Sequence, residues 1–382
     1  MQQGAFKTGK YRNVFSECGY SGDEIHARLE NIFQTMFHGT EEKRVYHPVG
    51  EDMGYIEDTG NLDVRTEGMS YGMMMCVQMG RKKEFDRLWK WSMTYMYMDQ
   101  GPNAGYFAWS CKPSGKKNAY GPAPDGEEYF AMALLFASRR WGDGEGIFNY
   151  GARARSLLRT CIHKGENGTP GRSMWDPEKK LIRFVPQVDF TDPSYHLPHF
   201  YELFALWASE EDRPFWKEAA AASREYLKKA CHPATGLSAE YAGYDGAPYT
   251  KGLSLRGERH DWYYSDAYRT VANVALDYSW FAADDWARAE TERVQNFFCE
   301  TVRRNPAGIY STDGKILPGK ALHPVAIKAV NAEASLASQG KHAEECVRRF
   351  WETPLRTGNR RYYDNCLYFF AFLALSGNYR VW

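Results

Sequence analysis

Acidic side chains that precede long apolar runs carry the chemistry this sequence can offer. Glu67 lies in Asn61-Leu62-Asp63-Val64-Arg65-Thr66-Glu67-Gly68-Met69-Ser70-Tyr71-Gly72, at the start of an apolar stretch. A carboxylate there either complements a helix dipole or projects into a cleft. Gly68 and Gly72 weaken a helix interior by roughly 1 kcal/mol each relative to alanine, so they imply close packing or ligand approach. Asp125, Glu127 and Glu128 crowd the beginning of an almost uncharged run, where Asp125 could serve simply as an N-terminal cap. The third cluster is His260-Asp261-Trp262-Tyr263-Tyr264-Ser265-Asp266-Ala267-Tyr268-Arg269. Asp266 and Arg269 share one helix face at i, i+3 and can pair. The aromatic rings around them suit the C–H face of a sugar.

Other chemistries are less well supplied. His196 and His199 could ligate a metal, but no third ligand is placed nearby and Pro198 interrupts the helix. Gly142-Asp143-Gly144-Glu145-Gly146 follows no strand, so it is not a dinucleotide fingerprint, and there is no nucleophile elbow or phosphate loop. The 8 cysteines are far apart, without a Cys-x-x-Cys pair, which argues against a zinc site or a disulfide framework and for reduced thiols. No metal and no cofactor is expected. Lysine plus arginine (48) balances aspartate plus glutamate (48), leaving no field to attract nucleic acid or an anionic membrane. No apolar run is long enough for a membrane helix, and the first residues lack the apolar core of a secretory signal, which reads as a cytoplasmic chain. Aromatics make up 15% of the residues, enough for a core with some left for a cleft. What remains is a set of carboxylates ringed by aromatics, which fits glycoside hydrolysis with one protonated acid and one carboxylate.

Helical periodicity must position these groups. It recurs near 22–38, 66–80, 82–98, 126–141, 147–163, 193–208, 213–230, 264–281, 284–303, 325–338, 340–352 and 363–376, about twelve helices. Ser21 and Glu24 form a capping box before the first, and Gly80, Gly142 and Gly377 fall where C-caps belong. Long polar stretches at 39–65, 99–125, 164–192, 231–263 and 304–324 separate helical pairs, and loops of that length carry function or short strands. No linker divides the chain, so residues 1–382 read as one domain. The pattern predicts an all-α fold, an (α/α)6 barrel with the long loops gathered at one end. An open solenoid is the alternative, but no fixed repeat period supports it.

At these motifs the sequence resembles glycoside hydrolase family 8, the inverting (α/α)6-barrel enzymes that include endoglucanases, chitosanases, xylanases and reducing-end xylose-releasing exo-oligoxylanases. The family's Thr/Ser-Glu-Gly-x-x-Tyr-Gly-Met element is met by residues 66–73, so the resemblance implies that Glu67 is the general acid. It implies Asp125 as the sugar-binding acid that helps distort the ring, with Glu127, where many members have a second aspartate, left without a role. Ser265-Asp266-Ala267-Tyr268-Arg269 resembles the family's Tyr-Asp-Ala-x-Arg element, with serine in place of tyrosine. It points to Asp266 as the general base, Asp261 keeping a minor claim, and to Arg269 as a substrate-binding residue. By the same resemblance Tyr195 would hydrogen-bond the attacking water and Trp109 would stack on a sugar.

The residues 122–130 and the loop Leu322-His323-Pro324 look like the exo-oligoxylanase branch, in which a loop histidine recognises the anomeric hydroxyl of the reducing-end xylose. That role falls here to His323. The expected partner is a xylooligosaccharide cleaved at β-1,4 linkages with release of xylose. The alternatives are an endo-acting xylanase or endoglucanase of the same family, a sugar epimerase using His196 and His199, and a sugar-binding protein on the same barrel.

Overall fold

In the computed structural model, which describes residues 3–251, 259–303 and 306–382, every one of the periodic segments contains a helix. The polar stretches 231–263 and 304–324 lie partly outside the described residues. The longer helices are α1 (Gly22–His38), α2 (Thr66–Met79), α3 (Lys82–Trp91), α4 (Pro124–Trp141), α5 (Tyr150–His163), α6 (Pro198–Trp207), α7 (Arg213–Ala230), α8 (Arg269–Phe281), α9 (Trp286–Asn296), α10 (Pro324–Glu333), α11 (Ala343–Trp351) and α12 (Arg361–Leu375). Their burial alternates. The odd-numbered helices are amphipathic and bury one face, whereas the even-numbered ones are buried over most of their surface. A helix buried all round needs neighbours on every side. Accordingly α2 packs on α4, α4 on α6, α6 on α8, α8 on α10, α10 on α12, and α12 returns to α2. Each odd-numbered helix lies outside this ring against an adjacent member, α1 on α12 included. The fold is an all-α (α/α)6 barrel.

Local chemistry explains some helix ends. Ser21 Oγ accepts from the Glu24 amide at 3.3 Å while Glu24 Oε2 accepts from the Ser21 amide at 2.9 Å, the reciprocal capping box. Gly80 takes the left-handed C-cap at φ 72°, whereas Gly142 ends α4 at φ 82°, ψ 166°, outside that region. Several segments are broken where a continuous helix is expected. Pro198 restricts Leu197, so 193–208 divides into a 3-10 turn Pro193–Tyr195 and α6. The segments 82–98 and 284–303 finish in π-turns, Ser92–Met96 and Phe297–Thr301. Two one-turn helices, Ala5–Thr8 and Val14–Glu17, are too short to register a period.

Short strands organise the long loops. β1 (Tyr46–Val49) pairs antiparallel with β2 (Met53–Ile56), β3 (Val64–Arg65) with β4 (Ser110–Cys111), and β6 (Ile309–Ser311) with both β5 (Trp262–Tyr263) and β7 (Ile316–Leu317). The β3–β4 register sets Arg65 opposite Ser110, and the Thr66 amide then donates to the Trp109 carbonyl at 2.9 Å. This bond fixes where α2 begins. Among the described residues no helix is long and apolar enough to cross a membrane.

Candidate active site

The starts of the inner helices converge. Glu67 is the second residue of α2, Asp125 the second of α4 and Tyr362 the second of α12, while Arg269 opens α8 and His323 caps α10. Asp192 and Tyr195 lie in the turn before α6, and Asp266 in the 3-10 turn Ser265–Tyr268 before α8. Helix N-termini favour negative charge, so this end of the ring suits a carboxylate cluster. Gly126 lets α4 start against α2, because a Cβ there would stand 2.5 Å from Thr66.

One buried guanidinium joins the cluster. Arg269 Nη1 donates to Glu67 Oε2 at 3.0 Å, Asp125 Oδ2 at 3.0 Å and the Tyr71 hydroxyl at 2.9 Å. Its Nη2 lies 3.5 Å from Asp266 Oδ1 and 3.8 Å from Asp192 Oδ2, and its Nε donates to Ser194 Oγ at 3.2 Å. The pair with Asp266 anticipated from i, i+3 spacing is therefore one of four carboxylate contacts, and Arg269 lies beneath the open pocket.

Four acids around one cation cannot all ionise in a buried site. Burial pushes the Glu67 carboxyl up to about 7, with the Arg269 charge and the Tyr362 hydrogen bond opposing the rise and the Asp125 and Asp266 charges adding to it. Burial likewise raises Asp125 and, more strongly, Asp192. Asp266 is the most accessible of the four, its side chain 30% exposed. Glu67 thus tends to keep its proton in a site where Asp266 meets solvent, a division suited to an acid and a base. Tyr362 donates to Glu67 Oε1 at 2.7 Å, and Gly68 makes room for it, since a Cβ there would lie 2.8 Å from its ring.

Above the cluster opens a pocket of about 240 Å³ walled by Glu67, Asp266, His323, Tyr362 and Tyr363, with Asp58, Asn61 and Arg65 on the facing loop. Ser265 holds a left-handed backbone at φ 34°, costly for a residue with a side chain, and Tyr363 donates to its carbonyl at 3.1 Å. The His323 Nδ1 lies 3.1 Å from Asp364 Oδ2, while Asp364 also accepts from the Ala326 amide at 2.7 Å and pairs with Arg356. Arg356 in turn donates to the Leu322 carbonyl at 2.5 Å. With Nδ1 engaged, Nε2 is the nitrogen His323 can offer a ligand.

The remaining candidates are spread around this centre. Trp109, 36% exposed, stands at the rim with its ring 5.3 Å from the Arg65 guanidinium carbon. Tyr195 is buried with its ring 5.4 Å from the Arg269 guanidinium carbon. Asp261 is turned to Arg259 through two 2.9 Å bonds and is not a wall of the pocket. Glu127 is fully buried and accepts from the Phe107 amide at 2.9 Å, a structural contact. His196 is held between Thr191 Oγ1 at 3.0 Å and Ser223 Oγ at 2.9 Å, and burial lowers both it and His199 to about 3. Neither reaches the pocket. Tyr71, Asp192, Tyr362 and Tyr363 are further site residues that the sequence left without roles. Tyr71 had a signal, one helical turn beyond Glu67, whereas Tyr362 is 295 residues from its partner.

A model described as Glycosyl hydrolases family 8 matches residues 47–377. The chain belongs to this family. It is a glycoside hydrolase. The family 8 chain is 58% identical over 386 residues to the reducing end xylose-releasing exo-oligoxylanase of Halalkalibacterium halodurans, covering 100% of this chain and 96% of the relative. It is similar to Rex8A from Paenibacillus barcinonensis complexed with xylose, with a TM-score of 0.96, 57% identity and 99% of each chain covered. A double mutant of Rex8A, with alanine and serine in place of an adjacent leucine and histidine, matches with a TM-score of 0.96 at 56% identity over 99% of each chain.

Proposed function

We propose that this chain hydrolyses β-1,4-linked xylooligosaccharides at the reducing end, releasing xylose with inversion, and that residues 1–382 act as one catalytic domain. The observation that carries this reading is His323, held by Asp364 and lining the same pocket as Glu67 and Asp266. A histidine fixed there stands beside the reacting groups and offers a hydrogen bond to a terminal hydroxyl. Leu322-His323 is the one adjacent leucine-histidine pair in this sequence, and such a pair is altered in the Rex8A double mutant.

Glu67 acts as general acid, protonating the leaving glycosidic oxygen. Asp266 acts as general base on a water beneath the anomeric carbon. Inversion needs carboxyl groups about 6.5–9.5 Å apart, the separation this reading requires of Glu67 and Asp266. Asp125 binds and distorts the ring, Arg269 orients the acids, Tyr195 steadies the water and Trp109 receives a further sugar at the rim. The deciding experiment uses xylotriose labelled at its reducing end, with products and anomeric form followed by NMR. Labelled xylose and unlabelled α-xylobiose are expected. Cleavage of polymeric xylan or cellooligosaccharides without terminal xylose release would favour the endo-acting reading instead. The buried, uncharged His196 and His199 give an epimerase no acid–base pair.

A further inference from the structure

The outer helices hold a second group of reactive side chains. The π-turn that ends α9 carries Cys299, and such turns recur at functional sites. Facing it, the start of α11 presents His342, Glu345 and Cys346 at i, i+3 and i+4, one helix face. One ligand atom from each of Cys299, His342 and Glu345 lies within 4.8 Å of the others. The sulfurs of Cys299 and Cys346 are 3.6 Å apart, close to the roughly 3.8 Å between two thiolates on one tetrahedral zinc with Zn–S bonds of about 2.3 Å.

The surroundings match those of a ligand set. His342 Nε2 lies 2.8 Å from Glu300 Oε1, the kind of outer carboxylate that orients a metal-binding imidazole. Its Nδ1 is 2.9 Å from Glu345 Oε2, so that nitrogen faces the cluster. Arg349 pairs with Glu345 and stands 4.0 Å from Cys299 Sγ, where its charge offsets the excess of two thiolates and a carboxylate over a dication. Both thiols are buried, while the His342 and Glu345 side chains are 15% and 37% exposed, which opens the cluster to solvent on one side.

We propose that Cys299, His342, Glu345 and Cys346 form a site for one zinc-type divalent cation that ties α9 to α11. On binding, the two thiols release their protons to solvent and no oxidation state changes. The test uses the untagged full chain, kept reduced with a phosphine and titrated with Co²⁺ and then Zn²⁺. One Co²⁺ per chain is expected, with tetrahedral d–d bands and sulfur-to-cobalt charge transfer, both lost when Zn²⁺ displaces it. Cys299→Ser and His342→Gln should each weaken Co²⁺ binding at least tenfold while cleavage of xylotriose stays unchanged. His342 is near the surface, so its variant carries the test if Cys299→Ser does not fold. Absent sulfur-to-cobalt absorption, or unaltered binding by His342→Gln, overturns the proposal. So does loss of two hydrogens in air by a reduced protein that takes up no metal, which would make the pair a redox disulfide.

Discussion

The proton on Glu67 is the property on which the proposed reaction turns. Its carboxyl is raised to about 7, so kcat/KM should fall as pH rises through about 7, when the free enzyme loses its acid. Glu67→Gln should lower kcat by about 10²–10⁴ and remove that limb of the pH profile. Tyr362→Phe tests the positioning contact separately. The Tyr362 hydroxyl favours the ionised form of Glu67, so its loss should move the limb to higher pH, read from kcat/KM on xylotriose. Loss of the limb without movement in Tyr362→Phe would detach Glu67 from it. His323→Ser should reduce kcat/KM for xylotriose roughly two- to thirteenfold, the worth of one hydrogen bond of about 0.5–1.5 kcal/mol.

Helices place these groups, and two substitutions separate support from chemistry. Ser21→Ala removes a capping box on the outer helix α1, distant from the pocket. It should cost about 1 kcal/mol in urea denaturation and leave kcat unchanged. Gly68→Ala adds a methyl 2.8 Å from the Tyr362 ring that bonds Glu67. Overpacking there should cost about 1–3 kcal/mol and also depress kcat, because the displaced ring is the one touching the acid. The periodic segments α1 to α12 were legible in the sequence because an amphipathic or wholly apolar helix repeats its pattern over several turns. The π-turns, the one-turn helices and the paired strands in the loops were not, since each spans too few residues to build a period.

At the scale of the whole ring, burial of acids ties stability to pH. Burial raises Glu67 and Glu240 to about 7 and Glu333 to about 8, from 4.5 for an exposed glutamate. Below 4.5 these acids are protonated in both states and their contribution is fully present. As pH rises further the unfolded chain ionises first, so stability is lost progressively until the folded values are passed. Tm should therefore decline from about pH 5 to about pH 8. Glu333→Gln keeps the shape without the ionisation and should flatten the upper part of that decline; an unchanged slope would remove Glu333 from the explanation.

The sequence by itself determined the helical class, the position of each acid at the head of an apolar run, and the motifs around Glu67, Asp125, Asp266 and His323. These signals are local, set by spacings of one or two turns. Tertiary structure decided what the acids do to one another. Closure of the ring brings the start of α12 to the start of α2, which puts Tyr362 on Glu67, and it places four carboxylates on Arg269. It also turned Asp261 to Arg259, gave Asp266 the pocket, buried His196 and His199, and set Cys299 beside Cys346. Contacts between residues tens or hundreds apart leave no periodicity in the chain, and a raised pKa arises only from burial that the assembled ring creates.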